Sequence, residues 1–350
     1  MLRRYQRFWV VLMGALLSAP LAISMLAPES DWMLEDELRP RALLPEIPHS
    51  AREWRVLSGK LDAYLRDHFG LRRAMIHAHA AVVHRMLHSG NAMVQIGSDG
   101  WLFLRHDEAL QQSAGILIRE SQVFETAETI ASIRSALVKL GVRFIFASPP
   151  NSATIYPNPL PAWARYRGGR TEYDLMLDAL ATQGIPAVDL RPVLRTGRAH
   201  GPVYYQHDSH WSPLGAVMGF NVVANAAGHP DWQLDSALVL APAERNGGDL
   251  ARMLGIAQNL VEKTQVMTLA AKPSGGSPIV LVIGDSFTQS FPSMLSANGI
   301  RATWIHHGWC GLDWKSIEQV HPDEVWWVPT ERYLLCKSHP KGMPTPDQSG

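Results

Sequence analysis

Five consecutive apolar residues, Ile279-Val280-Leu281-Val282-Ile283, run without a polar interruption into Gly284-Asp285-Ser286. A run this short and this apolar suits a strand buried on both faces, as in the centre of a parallel sheet. Val325-Trp326-Trp327-Val328 repeats the pattern, and Val142-Arg143-Phe144-Ile145-Phe146-Ala147 also reads as a buried strand. Between such runs the chain turns helical. Segments near 122–140 and 171–183 end at Gly141 and Gly184, and a helix over 213–227 has Ser212 to cap it and Pro213 at its first position. Further strands are expected at 186–190, 264–270, 279–283, 302–306 and 324–328. Alternating elements of this kind predict an α/β fold with a mostly parallel sheet covered by helices.

The segments before this core read differently. Arg3, Arg4 and Arg7 precede an uncharged stretch from Phe8 to Pro28. Its length suits either a membrane anchor with the N-terminus inside or a secretory signal cleaved near Ala22-Ile23-Ser24. Both readings export the remainder, to the periplasm if the source is bacterial. Residues 1–28 are therefore taken as signal or anchor, and 29–90 as a lead-in. That lead-in is extended at first. It then turns helical, with Leu57, Leu61, Leu65 and Phe69 at helical spacing, Gly70 as a break and a second helix from near Leu71. The main domain spans 91–336. It opens on a hairpin, where Asp99-Gly100 sits between Met93–Ile96 and Trp101–Phe103. The Pro- and Gly-rich tail, 337–350, is expected to be disordered.

Composition removes several function classes. The formal net charge is +0 with 18% charged residues, so no basic field for nucleic acid exists. No phosphate-binding loop, dinucleotide fingerprint, CxxC or HExxH motif occurs, so neither a cofactor nor a metal is expected. An exported location permits a disulfide between Cys310 and Cys336, with two buried thiols as the alternative.

Chemistry enters at Ser286, where a buried strand hands over to a helix. Ligands of open α/β sheets bind at such strand ends, and free N–H groups there can stabilise an oxyanion. The plain alternative is a helix cap. Asp208-Ser209-His210-Trp211, upstream, supplies the other two side chains of a Ser-His-Asp acyl-transfer site. At i, i+2 spacing in an extended segment, Asp208 and His210 project to one side. Trp211 is a candidate site wall or sugar-stacking face, with core packing the alternative.

Gly284-Asp285-Ser286-Phe287 resembles the nucleophile block of SGNH hydrolases. Together with Asp208-Ser209-His210-Trp211 it resembles the circularly permuted alginate O-acetyltransferases of the AlgJ and AlgX type. Asp67-His68-Phe69-Gly70-Leu71-Arg72, Gly97-Ser98-Asp99-Gly100-Trp101-Leu102-Phe103, Ala153-Thr154-Ile155-Tyr156-Pro157 and Glu331-Arg332-Tyr333-Leu334 extend the likeness over about residues 50–335. The resemblance implies a three-layer α/β/α, flavodoxin-like fold and acetyl transfer to polysaccharide hydroxyls outside the cytoplasm. It implies Ser286 as nucleophile, His210 as base and Asp208 as its orienting partner. It also implies a membrane acyl-transfer partner of the MBOAT type to supply acetyl, and an inner-membrane attachment if the first helix is retained.

Two departures stand out. The family's usual oxyanion donors are a glycine and an asparagine, but the corresponding loops here read His307-Gly308-Trp309 and Pro329-Thr330-Glu331-Arg332. Gly308 offers its N–H. Arg332 replaces the asparagine as a source of positive charge, or makes a structural salt bridge instead. Ser152 stands where relatives often carry lysine, beside Asn151, a candidate for the site wall or a turn. Three functions remain open: O-acetyltransferase, carbohydrate acetylesterase with the same triad, and a non-catalytic exopolysaccharide-binding or assembly protein. The last would use tryptophans such as Trp304, Trp309 and Trp314 for stacking.

Overall fold

The apolar runs assemble into one sheet because each carries alternating side chains that need cover on both sides. In the computed structural model the strands are β5 (Arg143–Ser148), β6 (Ala187–Asp189), β9 (Ile279–Gly284), β10 (Arg301–His306) and β11 (Glu324–Val328). They pair in the order β10-β9-β11-β5-β6, all parallel. The register sets Val282 between Trp304 and Trp326. The structure describes residues 2–26, 33–34, 39–72, 75, 78, 90–276 and 278–343. Two units divide the chain: residues 1–90 with 251–257, and residues 91–250 with 258–350.

In the larger unit each face of the sheet has its own core. Phe144, Phe146, Leu281, Ile283, Val325 and Trp327 pack with Ile130, Ile133 and Leu137 of the helix Glu120–Lys139 and Met176 and Leu180 of the helix Glu172–Thr182. Ile145, Ala147, Val280, Val282, Trp326 and Val328 pack with Val217 and Phe220 of the helix Pro213–Ala226 and Phe291 and Met294 of the helix Phe291–Ser296. Each such side chain, once fully buried, contributes roughly 1.5–3 kcal/mol. Helix starts follow their caps. Ser212 accepts from Gly215 N, and Thr171 forms a reciprocal capping box with Asp174.

Antiparallel hairpins flank the sheet. β3 (Val94–Ile96) pairs with β4 (Leu102–Leu104), and both Asp99 and Gly100 between them have positive φ. The strand expected at 264–270 is instead β8 (Val261–Met267), which pairs with β7 (Leu240–Asn246) outside the main sheet. Its alternation explains this: Glu262 and Thr264 are buried while Val261 and Lys263 are exposed, the pattern of a strand covered on one face only.

Cys310 and Cys336 are joined by a disulfide across 26 residues. Closing a loop of that length stabilises the fold by about 3 kcal/mol in the chain-entropy account. The tail after it is not free through Met343. Lys337 and Ser338 donate their N–H groups to the Trp309 carbonyl, and Lys341 exchanges backbone bonds with Leu312 and Trp314. Residues 344–350 lie outside the described residues.

The smaller unit contains the helix Leu2–Leu26 and the helix Ala51–Asp67, capped by Ser50. Strands β1 (Met33–Leu34) and β2 (Arg39–Pro40) pair between them. Among the described residues no helix is long and apolar enough to cross a membrane. Most of the second helix expected after Leu71 falls outside the described residues.

Candidate active site

Gly284 is the last residue of β9, and the chain turns there too tightly for a side chain. A Cβ would lie 2.8 Å from the Val328 carbonyl oxygen and closer still to Thr288. Asp285 fixes the turn. Its buried carboxylate accepts from Phe287 N (3.0 Å), Thr330 N (2.7 Å) and Thr330 Oγ1 (2.8 Å). Ser286 then opens a single 3₁₀ turn, Ser286–Thr288, with its side chain exposed. As the first residue of the turn, its N–H has no intrahelical acceptor.

The Asp208–His210 segment reaches this serine. Tyr204 bridges Trp211, which folds the intervening residues into a tight loop, and Asp208 Oδ1 accepts from His210 N at 3.1 Å. His210 Nδ1 lies 2.7 Å from Asp208 Oδ1, and His210 Nε2 lies 2.7 Å from Ser286 Oγ. With Asp208 ionised, Nδ1 donates and Nε2 is left to accept the serine proton. Burial opposes the charge on Asp208, but the His210 hydrogen bond and the Arg245 guanidinium hold its carboxyl well below the usual range.

Three groups that the sequence did not single out hold this pair. Arg245 on β7 donates to Asp208 Oδ2 at 3.0 Å and lies 3.8 Å from Glu262 on β8. Glu262 accepts from the Gln206 and His207 N–H groups. Asp249, just after β7, binds Ser209 through both carboxylate oxygens. Gly248 packs so closely on Asp208 that a Cβ would collide with its carboxylate. The only sequence hint was Asn246-Gly247-Gly248-Asp249, a turn signal without chemistry of its own.

The remaining candidates separate. Trp211 is buried: its Nε1 donates to the Phe287 carbonyl at 2.9 Å and its ring packs on Phe287 and Phe291. No face is open to a sugar, because Gly219 lies against the ring. Trp314 is likewise core. Gly308 N–H, expected as an oxyanion donor, is already given to His306 Nδ1 at 2.9 Å. Asn151 is buried, with Nδ2 on Ser113 Oγ (3.1 Å) and Oδ1 without a partner. Arg332 is 8% exposed, and its guanidinium lies over the Phe287 ring, 4.9 Å from the centroid. Its buried Nε has no hydrogen-bond acceptor, and no carboxylate among the described residues pairs with it at salt-bridge distance. The salt-bridge alternative is not what the structure contains.

Buried ionisable groups support the surrounding loops. Burial is the main cause that lowers His307 to about 4, against the attraction of Asp285. Glu331 accepts from Asn151 N and Thr154 Oγ1, both at 2.6 Å, joining the loops after β5 and β11. Burial pushes its carboxyl up from 4.5 to about 7, against those two bonds. The unfolded chain therefore ionises this group first, and the stability it contributes below about pH 4.5 declines until about pH 7. Glu331→Gln keeps the oxygen acceptor. Its thermal midpoint should match the parent's near about pH 5 and exceed it near about pH 8.

A central parallel strand ending in an exposed serine, with histidine and aspartate delivered beside it, places this protein in the SGNH hydrolase-like class of α/β folds. The family described as "SGNH hydrolase-like domain, acetyltransferase AlgX" matches residues 94–301, and the chain belongs to it. It is 30% identical over 174 residues to the probable alginate O-acetylase AlgJ of Pseudomonas aeruginosa, covering 48% of this chain and 42% of that protein. With the AlgJ of Pseudomonas syringae pv. tomato it shares 26% over 216 residues, 59% of this chain and 53% of that one. The chain thus spans about half the length of these relatives.

Among solved structures, the O-acetyltransferase domain of Pseudomonas putida AlgJ superposes with a TM-score of 0.50 at 19% identity, over 72% of this chain and 95% of that domain. Bacillus cereus PatB1 gives 0.51 at 14% identity, over 69% and 97%. At these identities the likeness is one of fold.

Proposed function

We propose that this protein is an O-acetyltransferase that places acetyl groups on hydroxyls of an exported polysaccharide. The observation that carries this reading is the unbroken relay from Asp208 through His210 to Ser286, in a chain of the acetyltransferase family. Ser286 Oγ attacks the donor's acetyl carbonyl while His210 Nε2 takes its proton. Collapse expels the donor's leaving group, which receives that proton, and leaves acetyl on Ser286. An acceptor hydroxyl then gives its proton to His210 and attacks the acetyl carbon. Ser286 leaves and regains the proton.

The oxyanion of both tetrahedral states is stabilised by the Ser286 N–H and by the Arg332 guanidinium. Arg332 suits this role because it is buried beside the nucleophile's neighbour without an internal counter-ion. Acetyl reaches the site from a membrane acyl-transfer partner of the MBOAT type, and the protein works in the periplasm, directed there by its arginine-led first helix. An alginate-like polymer is the acceptor class suggested by the names of the relatives.

The test is purified protein given an activated acetyl ester with and without oligosaccharide. Acetylated oligosaccharide is the expected product. Free acetate as the sole product would replace the transferase by an esterase, which uses the same relay with water as acceptor.

A further inference from the structure

The Asp208–His210 pair has a second acid beside it. Asp249 Oδ2 lies 3.6 Å from His210 Nδ1, and one carboxylate oxygen from each of Asp208 and Asp249 and one ring nitrogen of His210 fall within 4.8 Å of one another. Two carboxylates this close repel, so their proximity needs a cause. Part of it is local. Asp249 N–H donates to Asp208 Oδ2 at 3.2 Å, and Arg245 donates to the same oxygen. Ser209, between Asp208 and His210, gives its N–H to Asp249 Oδ1 (2.7 Å) and its hydroxyl to Oδ2 (2.6 Å). Asp249 therefore grips the Asp-x-His segment at its middle residue and still keeps one oxygen near the imidazole.

Among the described residues, the other groups around the ring are these. Ser286 meets Nε2, the Phe287 ring lies 5.1 Å from the imidazole, and Ser209 Oγ is 3.5 Å from Nδ1. Arg332 stands across Phe287, and Arg245 reaches the ring only through Asp208, with Glu262 and the Tyr205 ring behind it. Within this set the paired acids leave an excess of negative charge at Nδ1. A proton on His210 removes that excess.

We infer that Asp249 is a positioning residue for His210: a second carboxylate that, beside Asp208, favours the imidazolium formed at each acyl-transfer step. This rests on the relay proposed above, but its test does not. Asp249 either acts through its charge or merely ties down Ser209, and two substitutions separate these. Asp249→Asn keeps the shape and removes the charge. Ser209→Ala breaks the hydroxyl tie and keeps the charge.

In the full chain with labelled histidine, the NMR titration midpoint of His210 should fall in Asp249→Asn, since removing a nearby negative charge disfavours the imidazolium. In Ser209→Ala it should stay at or above the parent value. The acidic limb of kcat/KM should move with the midpoint. Asp249→Glu, which restores the charge, should hold the midpoint near that of the parent.

Equal shifts in Asp249→Asn and Ser209→Ala, no shift in Asp249→Asn, or a lowered midpoint in Asp249→Glu would each overturn the inference. If Ser286→Ala retained full activity, the acyl-transfer reading would fall instead. The titration would still decide whether Asp249 acts on the ring.

Discussion

Ser286→Ala should lower acetyl transfer by about 10⁴-fold or more while leaving the fold intact. In the proposed mechanism this substitution removes the nucleophile and with it the covalent route, and what is left comes from binding and oxyanion stabilisation alone. Stability should change by no more than about 0.5 kcal/mol, because the hydroxyl is exposed and packs against no core group. Its hydrogen-bond partner, His210 Nε2, belongs to a partly exposed ring rather than a buried one. Steady-state rates together with a denaturation curve check both halves of this expectation.

Asp285→Ala should do the opposite kind of damage. The Asp285 carboxylate is 2% exposed and takes three hydrogen bonds, one from Phe287 N and two from Thr330. Bonds to a charged acceptor contribute about 1.5–3 kcal/mol each, and alanine leaves two buried N–H donors without partners. A loss of about 3–5 kcal/mol in unfolding free energy follows once partial relaxation is allowed for.

Activity falls as well, by about 100-fold in the protein that remains folded, because both the Ser286 turn and the Arg332 loop hang on this carboxylate. Asp285→Asn keeps one acceptor oxygen and should cost about half as much stability. Urea denaturation of the three proteins, with kcat measured under folded conditions, separates the stability effect from the effect on the turn.

The parts of this molecule legible in its sequence are those set by local pattern. β9 and β11 are near-continuous apolar runs, and burial on both faces leaves them little choice but the sheet centre. The cap at Ser212 and the turn at Asp99-Gly100 are local chemistry, and the observed elements start or turn there. Ser286 and the Asp208–His210 pair stood out because strand ends and i, i+2 spacing are also local features. Their meeting at hydrogen-bond distance is a tertiary fact that neither segment encodes alone.

What escaped was whatever depended on distant packing. Arg245, Asp249 and Glu262 lie in or beside an antiparallel pair that reads as an ordinary polar hairpin, and only its docking turns them toward Asp208. Gly308 looked like a free donor because a glycine in the right loop says nothing of the His306 ring beside its N–H. Trp211 could be read from its neighbours as a site wall or as core, and only the packing decides: Gly215 and Gly219 clear a slot for it in the core. Lys337–Met343 looked disordered by composition, yet a disulfide at Cys336 brings the segment against Trp309 and Leu312.

The most direct measurement is mass spectrometry of the protein quenched during turnover with an activated acetyl ester. The account requires one acetyl group on the peptide carrying Ser286, formed quickly, lost when oligosaccharide is added, and absent in Ser286→Ala. Transfer to the oligosaccharide at the parent rate with no acetyl on Ser286, or by Ser286→Ala itself, would contradict it.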